Sequence, residues 1–172
     1  MTLWVLTMKW NVSNVMKTDG AREVIEYRFP VEPEAVTADP RLRFSEISVS
    51  GAIENRAGIV KLALEDVVTL FTECDRCTRP IERELRFETE HLLVEEKTHE
   101  DNDYLLVVTD DELDIDELVL DSLMLSLPSK QLCKDDCKGL CPRCGKDLNE
   151  GPCGCPEKEP DPRLMKLKDL KL

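Results

Sequence analysis

Apolar and polar residues alternate through much of this chain. Ile25, Tyr27 and Phe29 alternate with Glu26 and Arg28, the period-two pattern of a half-buried strand. Pro30, Pro33 and Pro40 then mark a loop. Ile47, Val49 and Ile53 share one face of the next strand, with Gly51 placed at a bulge. Asn55-Arg56-Ala57-Gly58 reads as a turn. Val60, Leu62 and Leu64 alternate again, and Val67 to Phe71 continues as a buried apolar run. After Arg79-Pro80, alternation resumes with Ile81, Arg83, Leu85, Phe87 and Thr89 and runs to Val94, which predicts an antiparallel hairpin. Thr98 to Asp103 is a polar connection, and Tyr104 to Val108 reads as another strand.

At Asp114 the period changes. Ile115, Leu118, Val119 and Leu123 fall on one helical face. Asp114 is placed as the N-cap, with Glu117 three residues later completing a capping box. Pro128 ends the helix. Leu164, Leu167 and Leu170 form a weak apolar stripe in a charged tail, read as a frayed helix. Strands first and one helix after them predict an α+β fold: an antiparallel sheet or partly open barrel with the helix packed on it.

Composition narrows the picture. The 172 residues suffice for one ordinary domain with a small appendage. Aromatics are 5% against 41% hydrophobic residues overall, so the core must be mostly aliphatic. No apolar run approaches the length of a membrane span. Met1 to Leu6 is apolar but too short for a signal peptide, and no basic region precedes it. Met8-Lys9-Trp10-Asn11 fits a start of translation, with the upstream residues a mis-assigned start. The expected compartment is the cytoplasm, where cysteines serve as metal ligands or reduced thiols rather than disulfides.

Charge is unevenly placed. The chain carries a net -13, yet from Lys130 onward 10 basic residues face 8 acidic ones. The remainder therefore holds a net -15. Such a body does not suit a broad phosphate-binding surface. It suits a basic protein partner, with nucleic-acid contact confined to the tail.

The chemistry lies in eight cysteines, six of them between Cys133 and Cys155. Closely spaced thiolate pairs separated by a short turn are what a tetrahedral zinc ion needs. Cys141-Pro-Arg-Cys144-Gly has the form of a metal knuckle, with Gly145 allowing the sharp turn. Asn149-Glu150-Gly151-Pro152 returns the chain to Cys153 and Cys155, which makes Cys141, Cys144, Cys153 and Cys155 one quartet. Cys74, Cys77, Cys133 and Cys137 remain as a second, split quartet that would pin the helix exit to the sheet. Spacing alone also permits Cys133 or Cys137 to join Cys141 and Cys144. From Cys133 to Cys155 there is too little apolar material for a core, so metal must supply the order.

Competing chemistries exist for the same residues. Cys74 and Cys77 could act as a thiol–disulfide oxidoreductase pair. Such motifs usually open a helix after a strand, whereas here they lie between two strands. An iron–sulfur cluster uses similar ligands. His91 and His99 read as surface residues rather than ligands or bases. No phosphate-cradling glycine loop is present, and no nucleophile and base stand at recognisable spacing.

Three motifs, in order, resemble the YceD family, the large ribosomal RNA subunit accumulation proteins. They are Glu73-Cys74-Asp75-Arg76-Cys77-Thr78-Arg79-Pro80; Leu113-Asp114-Ile115-Asp116-Glu117-Leu118 with Leu123 to Pro128; and Cys133 to Cys155 with Lys138-Gly139-Leu140-Cys141-Pro142. The tail is similar to that of the family's longer bacterial members. Shorter members keep the central Cys-x-x-Cys and a Cys or His pair after the Leu-Pro, which favours grouping Cys74 and Cys77 with Cys133 and Cys137.

The resemblance implies a cytoplasmic, non-enzymatic ribosome-biogenesis factor supporting large-subunit (23S) rRNA processing, accumulation or stability. Its partner would be a large-subunit ribosomal protein or pre-ribosomal particle, with any rRNA contact through the tail. Two structural zinc ions are expected on the eight cysteines. The expected layout is an α+β body over 8–132, a zinc-binding segment over 133–157 with its knuckle, and a charged tail over 158–172. A zinc-containing nucleic-acid-binding regulator is the other reading of the tail.

Overall fold

A computed structural model describes residues 9–37, 39–95 and 105–156. The elements, in chain order, are β1 (Lys9–Asn11), α1 (Ser13–Lys17), β2 (Arg22–Phe29), α2 (Pro33–Val36), β3 (Arg43–Phe44), β4 (Ile47–Arg56), β5 (Ile59–Glu73), β6 (Pro80–Val94), β7 (Leu105–Val107), β8 (Glu112–Asp114) and α3 (Ile115–Ser126). The fold is α+β. Six strands make one open sheet in the order β2-β4-β5-β6-β7, with the short β3 also paired to β5. Among the described residues no barrel closes, because β2 and β7 stand at the two ends of that path. β1 and β8 pair separately.

The long strands follow from alternation. Along β4 and β5 the buried residues of one parity are mostly Ile, Val and Leu, while their neighbours stay half-exposed or exposed. Ile25, Ile47, Val49, Ile53, Leu62, Leu64 and Val68 meet Ile115, Val119 and Leu123 of α3 in one buried cluster. Helix α3 begins where its sequence says it should: Asp114 accepts a hydrogen bond from the Glu117 backbone N–H at 3.1 Å. It ends two residues before Pro128. The β4–β5 turn has positive φ at both Ala57 (52°) and Gly58 (81°), the geometry of a two-residue hairpin loop.

Several local expectations need correction. Gly51 is not at a bulge: pairing runs unbroken through it on both sides, to Ile25 and to Leu64. Its glycine serves close approach, since a Cβ there would lie 2.1 Å from the Ala63 carbonyl oxygen. The stretch from Val67 to Phe71 is not a buried run. Val68 and Leu70 are buried, but Val67, Thr69 and Phe71 are half-exposed, because β5 alternates along its whole length. The proline-marked loop contains α2, with Pro33 in its first turn. The pairing is not wholly antiparallel, since β7 lies parallel to β6. Met8, Thr98 to Asp103, His99, Tyr104 and the leucine stripe of the tail lie outside the described residues.

The core also holds polar groups that alternation did not announce. Asp66 is 1% exposed on the inner face of β5 and accepts a hydrogen bond from Thr89 Oγ1 at 2.7 Å. The Tyr27 hydroxyl donates to Asp116 Oδ1 at 2.6 Å. His91 is half-buried rather than on the surface. Burial lowers its pKa from the ordinary value, and Asp121 partly opposes that effect.

Candidate metal centres

Two groups of four cysteines form among the described residues, Cys74, Cys77, Cys133 and Cys137, and Cys141, Cys144, Cys153 and Cys155. Within each group the sulfurs all lie within 4.8 Å of one another.

The first group sits at the tip of the β5–β6 hairpin. The loop from Cys74 to Arg79 closes on itself through Cys74 N–H to Arg79 O (2.8 Å) and Thr78 N–H to Cys74 O (2.9 Å). Polar side chains then hold the segment after Pro128 against this loop. Asp75 Oδ2 accepts from the Gln131 N–H at 2.7 Å, while the Asp75 N–H donates to the Gln131 carbonyl at 2.8 Å. Arg83 donates to Leu132 O and Arg76 to Cys137 O, each at 2.7 Å. Ile81 and Leu132 supply apolar cover. Cys74, Cys77 and Cys137 are thereby buried, and Cys133 is half-buried.

The sulfurs of Cys74 and Cys137 are 3.8 Å apart, and those of Cys77 and Cys133 are 3.6 Å apart. A disulfide would bring them to about 2.05 Å. Four sulfurs around one ion at about 2.3 Å would be separated by about 3.8 Å. The donor set and its spacing therefore fit a tetrahedral thiolate-bound metal ion.

The second group is made by local turns. Gly145, at φ 71°, lets its N–H reach the Cys141 carbonyl at 2.9 Å, and the Cys141 N–H donates to Lys146 O at 2.8 Å. An isolated bridge joins Leu140 to Asp147. Cys141 is buried, Cys153 and Cys155 are half-buried, and Cys144 is exposed.

Crowding splits the acidities of these thiols. Burial raises the Cys74 pKa, but backbone N–H groups of Cys133, Arg76 and Cys77 outweigh it and bring the value down to about 6. Burial and the neighbouring thiols push Cys133 up to about 12. In the second group, the N–H groups of Arg143 and Cys144 lower Cys141 to about 6, whereas the Cys144 side chain and burial raise Cys155 to about 12. Each pocket thus favours the first thiolates and resists the last. A bound divalent cation would supply the charge needed to deprotonate all four.

The motifs that lead to these sites also fix the family. The family model for the large ribosomal RNA subunit accumulation protein YceD matches residues 61–171, more than half of the chain. The chain belongs to the YceD family. An uncharacterized protein of Mycobacterium tuberculosis is 33% identical over 104 residues, covering 57% of this chain and 49% of that protein. An uncharacterized protein of Mycobacterium leprae is 29% identical over 103 residues, covering 58% and 47%. The chain spans about half the length of the curated relatives it matches. No solved structure matches. Among the described residues, no helix is long and apolar enough to cross a membrane.

In this YceD-family chain, sequence reasoning named every cysteine but missed the side chains that assemble them. Asp75, Arg76 and Gln131 carry no periodic signal, and Arg83 stood only as one member of the β6 alternation. The available hint was position, since Asp75 and Arg76 lie inside the Cys74–Cys77 turn. His91 joins neither group.

Proposed function

We propose that this chain is a cytoplasmic, non-enzymatic factor that supports processing, accumulation or stability of large-subunit (23S) rRNA, built around two structural zinc ions. The family match over residues 61–171 carries the ribosomal part of the reading. The two cysteine quartets support the metal part. All-thiolate tetrahedral sites favour zinc or iron–sulfur chemistry over harder cations. Four protein ligands leave no open position for a catalytic water, so the role of the ions is structural. A dithiol oxidoreductase is disfavoured because the sulfurs of Cys74 and Cys77 are shared with two further thiols rather than presented alone.

The acidic body suits a basic large-subunit ribosomal protein, alone or in a pre-ribosomal particle. Lys134, Lys138, Arg143 and Lys146 are exposed around the cysteine groups and would supply any direct rRNA contact. Deleting the gene tests the reading. Mature large-subunit rRNA should fall relative to small-subunit rRNA, and a plasmid copy should restore it. Purified protein should carry two zinc ions per chain. An unchanged rRNA ratio would overturn the ribosomal role, and metal-free protein with dithiol reductase activity would overturn the structural one.

A further inference from the structure

The two cysteine groups share a wall. Residues 138–150, which carry Cys141 and Cys144, also close over the first group. Asn149 is the joint. Its Nδ2 donates to Cys137 Sγ at 3.5 Å, and its Oδ1 accepts from the Lys138 N–H at 2.9 Å. Asp147 Oδ1 fixes that amide, accepting from Asn149 N at 2.8 Å and from Nδ2 at 2.7 Å. Arg79, at the end of the Cys74–Cys77 loop, ion-pairs with Asp147 at 2.6 Å and with Glu150 at 3.0 Å.

The backbones are joined as well. The Leu140 N–H donates to Arg76 O at 3.0 Å. Gly139, at φ 73°, lies so close that an added Cβ would be 2.9 Å from that same oxygen.

We propose that the second cysteine group is a clasp on the first, with Asn149 as a positioning residue for the Cys137 thiolate, so that the two sites load metal cooperatively. This rests on the metal reading above. A donor aimed at a ligating sulfur orients it and disperses its charge, and loss of such partners costs roughly 10- to 100-fold in metal affinity. The segment carrying Asn149 has almost no apolar core of its own, so metal at Cys141, Cys144, Cys153 and Cys155 determines whether Asn149 is held in place. Linkage makes the effect reciprocal: the first ion must favour the second by the same factor.

The experiment uses the full, reduced, metal-free chain titrated with Co²⁺, whose absorption bands report tetrahedral thiolate ligation, followed by competition with a chelator of known affinity. The variant Cys153→Ser/Cys155→Ser leaves every first-group ligand intact. Asn149→Asp keeps the size and the acceptor oxygen but removes the N–H aimed at sulfur. Both should lower first-group affinity by roughly 10- to 100-fold. Asn149→Asp should also shift the charge-transfer band at saturation, which a purely packing role would not do. Amide exchange in β4 and β5 checks that the sheet remains folded. First-group affinity within twofold of wild type in both variants, with two independent loading steps in wild type, would overturn the clasp alone. Wild type that binds no ion at Cys74, Cys77, Cys133 and Cys137 would overturn the metal reading and the clasp with it.

Discussion

Asp66 occupies a core position that strand alternation reserves for an apolar side chain. It faces Val49 on one neighbour and Phe87 on the other, and Val49 in turn faces Tyr27. Burial raises its pKa from 3.8 to about 6, and the Thr89 hydrogen bond only partly offsets this. Between those values the folded state binds more protons than the unfolded one, so this residue's contribution to stability falls as pH rises from about 4 to 6. Asp66→Asn removes the titration. The variant should match wild type near pH 4 and exceed it at pH 7 by on the order of 1–2 kcal/mol after discounting for solvent screening. Urea unfolding of both proteins across that range checks this, since the metal contribution is common to both. Parallel curves would sink the idea. Sequence could not show Asp66 as a core residue. The apolar series Val60, Leu62, Leu64 stops at an acid, and Val67 then reads as a restart out of phase. The register reveals one uninterrupted strand instead.

Elements held by local pattern were legible, and those held by distant partners were not. The β5–β6 hairpin shows as alternation on both sides of one short loop, and the Asn55–Gly58 turn and the capped start of α3 each depend on residues within a few positions of one another. By contrast, β1 is three residues long and pairs with β8 about a hundred residues away, so no local window contains its reason for existing. The grouping of the cysteines lies between these cases. The second group closes through its own turns, while the first needs a ligand pair brought from beyond α3. Zinc binding contributes on the order of 10–16 kcal/mol in small zinc-finger peptides, far more than the sparse apolar contacts of residues 138–156 can. Chelation should therefore release the amides of Cys141, Gly145 and Leu148 to exchange at the rate of an unstructured chain, while β4 and β5 stay protected. Cys141→Ser should open the same segment and loosen the first group without emptying it. Cys74→Ser should in addition expose the amides of Asp75 and Gln131, which bond across the first site. Exchange by mass spectrometry distinguishes these patterns. Protection unchanged at Asp75 and Gln131 in Cys74→Ser would show that metal does not hold that junction.

Across the whole molecule, one face of the sheet carries an acidic row, while the cysteine-bearing end is mixed in charge. Glu26, Ser50, Glu65 and Glu88 stand in one cross-strand row on the solvent face, so Glu65 and Glu88 are directly opposed. Like charges in that arrangement destabilise the sheet slightly, and a cationic partner would relieve the repulsion. Lys134, Lys138, Arg143 and Lys146 lie exposed around the cysteine groups, beyond the tip of the β5–β6 hairpin. The charge asymmetry was legible in composition, but the alignment of Glu26, Glu65 and Glu88 in one row required the fold. Under the proposed function two salt-sensitive contacts are expected, and they should respond to different substitutions. Changing Glu26, Glu65 and Glu88 to Gln should weaken association with a basic large-subunit protein and flatten its dependence on ionic strength. Reversing Lys134, Lys138, Arg143 and Lys146 to Glu should reduce association with rRNA while that protein remains bound. Co-purification of wild type and both variants with large-subunit precursors, at about 50 and 200 mM salt, reads the two contacts separately. Tight binding of bare rRNA by the protein carrying the four reversals, with no ribosomal protein present, would show that this division between the sheet face and the cysteine-bearing end is wrong.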